Sequence, residues 1–167
     1  MRTIIMILFV AAFAMTSCEN DRQKLSDSFD KLQKESDSLL QKHNDLKSHH
    51  EMHAASFVSL SERMAGVALE DSSWLEKLAN HEVILKGHEA EFQKVEQLFA
   101  GHRELKTNFP NLTTEEKQSQ IDAMSNDLDE IKDTQNSLES DHDKLDKELT
   151  KIEEDLRKKQ TASRERQ

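Results

Sequence analysis

From Leu25 to Leu156 the apolar residues return at alternating intervals of four and three, a rhythm that admits little besides long packed helices. The first run is Leu25, Phe29, Leu32, Ser36, Leu39, His43, Leu46, His50, His53, Phe57, Leu60, Met64 and Val67. Between these positions lie Lys, Gln, Asp, Glu and Ser, as on a solvated face. A charged fraction of 34% would otherwise suit a disordered chain, and the seam decides against that. Three Gly and one Pro are too few for a loop-rich or β-rich fold.

Two breaks divide the pattern. Near Leu69–Ser73 the seam lapses, and Ser73 followed by Glu76 fits a capping box. A second helix then carries Trp74, Leu78, His81, Leu85, His88, Phe92, Val95, Phe99 and His102. Trp74 reads as an apolar anchor at its start. At Asn108-Phe109-Pro110-Asn111 the helix must stop, because proline has no N–H and restricts the residue before it. Thr113 with Glu116 is another capping box, opening a third helix from Ile121 through Gln135 and His142 to Leu156.

These boundaries predict an all-α fold: an elongated, antiparallel three-helix bundle or coiled coil over 25–160, with helices at about 22–68, 73–107 and 113–160 and a polar tail at 161–167. The middle helix is the shortest. Reversal on the spot at each turn would therefore leave the start of helix one and the end of helix three projecting. Pairing of long helices between chains is the alternative architecture.

The segment before the bundle has another character. Arg2 is followed by an apolar run from Ile4 to Met15, then Thr16-Ser17-Cys18. The run is about half of the ~20 residues needed to span a bilayer, as in a secretory signal that is removed. Cys18 is the only cysteine, so it has no internal disulfide partner. Its place behind two small residues resembles the lipobox of bacterial lipoproteins, with Met15 where that family more often has Leu. The resemblance covers 1–18. It implies a signal peptide at 1–17, cleavage before Cys18, acylation of that cysteine (palmitate among the chains) and a short tether at 18–24. Each buried methylene contributes about 0.8 kcal/mol, and two or more chains anchor stably. Localisation in a bacterial cell envelope follows from the resemblance, with the outer membrane the expected leaflet system.

Acidic residues outnumber basic ones 33 to 23, for a net charge of −10, and Arg2 leaves with the signal. Nucleic acid needs a basic footprint and is excluded as a partner. The anchor and heptads also resemble small helical lipoproteins that tie an outer membrane to peptidoglycan through a C-terminal Lys. This sequence ends Arg164-Glu165-Arg166-Gln167, so a covalent link of that kind is not expected.

The histidines are the unusual feature. Seven of eight, all but His49, fall on the seam: His43, His50, His53, His81, His88, His102 and His142. The expected pairing sets His53, His88 and Gln135 in one layer, and His81 with His142, opposite Leu60, in the next. A polar residue in a core fixes which residues face each other, at some cost in stability. A second reading is a metal site. Imidazole suits zinc, copper and nickel, and His49-His50-Glu51-Met52-His53 puts His49 and His53 one helical turn apart. His49, His50, His53, His81, His88 and His142 are the candidate ligands. The stretch lacks the His-Glu-x-x-His spacing of zinc proteases.

Nothing in the sequence groups a nucleophile with a base, and no Gly-rich phosphate loop is present. Asn111-Leu112-Thr113 matches a glycosylation sequon but reads as a helix start. The expectation is a non-enzymatic structural or protein-interaction lipoprotein, with a metal-binding or metal-sensing lipoprotein as the alternative. The candidate contact for a protein partner, or for self-association, is the projecting seam of Leu145, Leu149, Ile152 and Leu156.

Overall fold

In the computed structural model the backbone is described for residues 2–65 and 73–164, and the side chains for 20–64, 76–162 and 164. The chain is all-α. It comprises α1 (Arg2–Ala65), α2 (Ser73–Asn108), a single 3₁₀ turn (Phe109–Asn111) and α3 (Thr114–Arg164). Helix α1 runs unbroken through 18–24, where a tether was expected, and α3 continues to Arg164 through most of the expected tail. The side chains of Cys18, Ser73 and Trp74, and the whole of Val67, lie outside the described residues. Among the described residues, no helix is long and apolar enough to cross a membrane.

Ion pairs and hydrogen bonds give the directions of the helices. Glu35, Lys42, His53 and Arg63 of α1 meet Lys132, Glu139, Asp146 and Glu153 of α3, so both sets of numbers rise together and these helices are parallel. Ser36 meets His102 of α2, and Lys47 meets Glu96, so α2 runs the other way. The exposed Lys and Arg pairs among these each contribute ~1 kcal/mol or less. Stability comes from the seam, where burying a Leu, Ile or Phe contributes about 1.5–3 kcal/mol.

The apolar core falls into three groups. Near the start of α1, Leu25 and Phe29 pack with Val95, Phe99, Phe109, Ile121, Met124, Leu128 and Ile131. Leu46, Phe92 and Leu138 form a thin middle layer. Leu60 and Met64 pack with Leu149, Ile152 and Leu156 toward the end of α1. Buried histidines fill the gap between the second and third groups. In α1 the buried column passes through Gln33 rather than Leu32, which is half-buried. A straight helix turns every 3.6 residues and drifts against a strict heptad.

The second turn sets the register differently from the expectation. Phe109 stacks on Phe29, with ring centroids 3.8 Å apart and planes 6° from parallel. The 3₁₀ turn closes with the Leu112 N–H donating to the Phe109 carbonyl at 3.3 Å, and Leu112 is extended. Both conformations rise more per residue than an α-helix, so the connector travels on past the end of α2 before reversing. The Thr113 side chain then caps α3: the Glu116 N–H donates to Thr113 Oγ1 at 3.3 Å, and the Thr113 N–H donates to Glu116 Oε2 at 2.8 Å. As a result α3 is displaced by about one heptad against α2 relative to reversal on the spot.

That displacement draws the end of α3 back alongside α1, where a seam was expected to project. At the other end α1 begins at Arg2, ahead of its first packed residues Leu25 and Phe29, and Phe109 stacks on the second of these. Leu145, Leu149, Ile152 and Leu156 are buried within the chain rather than presented to a partner, the last three against Leu60 and Met64.

Candidate metal centre

Seven histidines are buried, the same seven that fall on the heptad seam, and His49 is half-buried. Three come from one turn of α1: the His49 and His53 rings meet edge to face along the helix, 4.6 Å apart, and His50 points toward α2. Helix α2 contributes His88 and α3 contributes His142.

His142 is the hub. Its ring centroid lies 5.1 Å from each of His49, His53 and His88, and 5.9 Å from His50. Two triads result, His49–His53–His142 and His50–His88–His142, each with one ring nitrogen per residue within 4.8 Å of the others. Three nitrogens around a tetrahedral ion, at bonds of about 2.0–2.1 Å, would stand about 3.4 Å apart. An ion would thus draw each pair together by no more than about 1.4 Å, within reach of ring rotations.

The electrostatics favour neutral imidazoles. Burial lowers the pKa of His50, His53 and His88. His142 falls to about 4, first through burial and then through the rings of His88, His53, His49 and His50. A metal takes up a neutral imidazole, so these rings need lose no proton near neutral pH. Several nitrogens also lack hydrogen bonds among the described residues: both of His142, both of His88, His50 Nδ1 and His53 Nε2. Leaving such a group buried and unpaired costs about 1–3 kcal/mol.

Two carboxylates flank the rings. Asp146 lies 3.6 Å from His49 Nε2 and 3.5 Å from His53 Nε2, and Asp141 lies 3.6 Å from His88 Nε2. These separations exceed a good hydrogen bond but bring negative charge beside each triad. Carboxylates behind histidine ligands orient the ring and raise its basicity.

Five of the six candidate ligands converge here, and His81 does not. It pairs with Glu148 and faces the ring of Phe57 at 6.2 Å. Nor does Gln135 join His53 and His88: it donates to the Leu39 carbonyl at 2.8 Å, two heptads before His53 on α1. The displaced register of α3 explains both corrections, since it puts His142 level with His88 rather than His81. His43 and His102 are buried in the lower half of the bundle, against Phe92 and Phe99 and beside Glu96 and Asp127 respectively. Asp141 and Asp146 were not foreseen. Asp146 had a signal in the sequence, four positions after His142 and so on the same helical face, whereas Asp141, one position before it, had none.

Comparison with known proteins found no match: no family model, no curated protein and no solved structure is similar to this chain.

Proposed function

We propose that this chain is a lipid-anchored, non-enzymatic protein of the bacterial cell envelope whose helical bundle binds a transition-metal ion among its core histidines. The observation that carries the reading is the convergence of five imidazoles from three helices on His142. All-imidazole surroundings suit zinc, copper(II) or nickel. The contact expected for a protein partner, Leu145, Leu149, Ile152 and Leu156, is buried within the chain.

The anchor supplies the place. Cleavage before Cys18 and acylation there would hold the bundle at a membrane, with α1 leading directly away from the lipid. Metabolic labelling with palmitate is expected to mark the wild-type protein and not Cys18→Ser. An unlabelled wild-type protein would overturn the anchor.

The metal reading is tested by calorimetric titration of zinc, copper(II) and nickel into the detergent-solubilised chain. Binding at about 1 μM or tighter is expected for at least one ion, at a free energy near −8 kcal/mol. His53→Ala/His88→Ala, which removes a ligand from each triad, should abolish it. Absence of binding in the wild-type protein would refute the reading.

A further inference from the structure

The two triads share a ligand and differ in their surroundings. One, His49–His53–His142, contains the half-exposed His49, whose side chain is 40% accessible. It borders a groove of about 300 Å³ between α1 and α3, lined by Met52, Ser56, Asp146, Leu149, Thr150 and Glu153 besides His49 and His53. Asp146 faces both of these rings there, while Glu153 pairs with Arg63.

The other triad, His50–His88–His142, is buried at every member. The groove on its own side, between α1 and α2, is lined by only His50 of that triad. The Lys47–Glu96 ion pair, Glu51 and Glu89 border it, and Phe92 lies against the His50 ring at 5.3 Å.

A neutral imidazole has one nitrogen with a free lone pair, because the other carries the proton. Uncharged His142 therefore ligates one ion at a time. We infer that the five histidines form two seats for a single ion, an outer one at His49–His53–His142 and an inner one at His50–His88–His142, between which the ion passes by exchanging ligands around His142. This inference rests on the metal reading above. In the transfer, two outer nitrogens leave the ion as two inner ones arrive, while His142 stays bound. No redox step is required. The outer seat serves loading and the inner one retention.

The test uses zinc and the full chain in detergent, reading stoichiometry by native mass spectrometry and loading and release with a fluorescent zinc indicator. One ion per wild-type chain is expected. His49→Ala should keep the affinity within a few-fold yet load roughly tenfold more slowly, because it damages only access. His88→Ala should still take one ion, bind it roughly tenfold or more weakly and release it faster. His142→Ala should lose binding by about 100-fold or more. His49 is half-exposed, so its variant does not threaten the fold; far-ultraviolet circular dichroism checks the others.

Two ions per chain would overturn the shared-seat arrangement and point to a deprotonated His142 bridging both. Loading of His49→Ala at the wild-type rate would overturn the outer seat as the point of access. No zinc in the wild-type chain would instead refute the metal reading beneath it, so the two failures are distinguishable.

Discussion

Replacing His142 with Leu is expected to raise the melting temperature of the metal-free protein and to abolish its metal binding. The ring is 1% exposed, and neither nitrogen has a hydrogen-bond partner among the described residues. An unpaired buried polar group costs about 1–3 kcal/mol, whereas an apolar side chain of similar size at the same place has no such penalty. His142→Leu should therefore gain about 1–3 kcal/mol, or several degrees at roughly 2–4 °C per kcal/mol for a chain of this size. Scanning calorimetry in the presence of a chelator measures it. A lower melting temperature would mean that the ring is satisfied in a way the structure does not contain, and the argument from unpaired nitrogens would fail.

The same variant separates ligand from register device. A polar core residue that only fixes register also destabilises, and its loss frees the helices to pair in other ways. Size-exclusion chromatography then decides. A more stable, unchanged oligomeric state without metal binding assigns the cost of His142 to ligation. A spread of oligomers would assign it to register.

Much of this architecture was legible because the seam is long and the breaks are sharp. Pro110 and the Thr113–Glu116 box located the second turn, and the heptads identified the seven buried histidines. The height of α3 against α2 was not legible. It depends on how far residues 109–113 travel before reversing, and that is set by the stack of Phe109 on Phe29, a contact between residues eighty positions apart. An offset of about one heptad preserves every seam position and changes only which ones are level. For that reason burial at Gln135 and His142 was foreseen correctly while their partners were not, and Leu149, expected on a projecting seam, is buried within the chain. The centre is a product of that offset: with α3 reversed in place, His142 would sit beside His81 and no triad would close.

Acidification is expected to destabilise the metal-free bundle well before its carboxylates titrate. Six buried histidines have lowered pKa values: His43, His50, His53, His88, His102 and His142, each chiefly through burial. Neighbouring acids oppose this without reversing it: Glu96 at His43, Glu89 and Glu51 at His50, Asp146 at His53, Asp141 at His88 and Asp127 at His102. Lys47 faces His43 and reinforces the fall. Around His142 the four other rings of the centre act in the same direction as burial. When the folded-state pKa of a base lies below its unfolded value, the unfolded chain binds more protons between the two. Stability is then complete above about pH 6.5 and declines as the pH falls through that value toward the folded-state pKa. For His142, with a folded-state pKa of about 4, the loss at pH 5 is about 2 kcal/mol. From His142 alone the melting temperature in chelator should be lower by about 4–8 °C at pH 5 than at pH 8, and the other five histidines act in the same direction. The carboxylates with lowered pKa values, Glu96 and Asp141 among them, contribute their own loss only at still lower pH. Bound metal should steepen the decline, because protons compete for the same nitrogens. His142→Leu should flatten it by the share that His142 holds. Equal melting temperatures at pH 5 and pH 8 would show that the buried rings accept protons without cost, and the case for a strained, ligand-seeking histidine core would be lost.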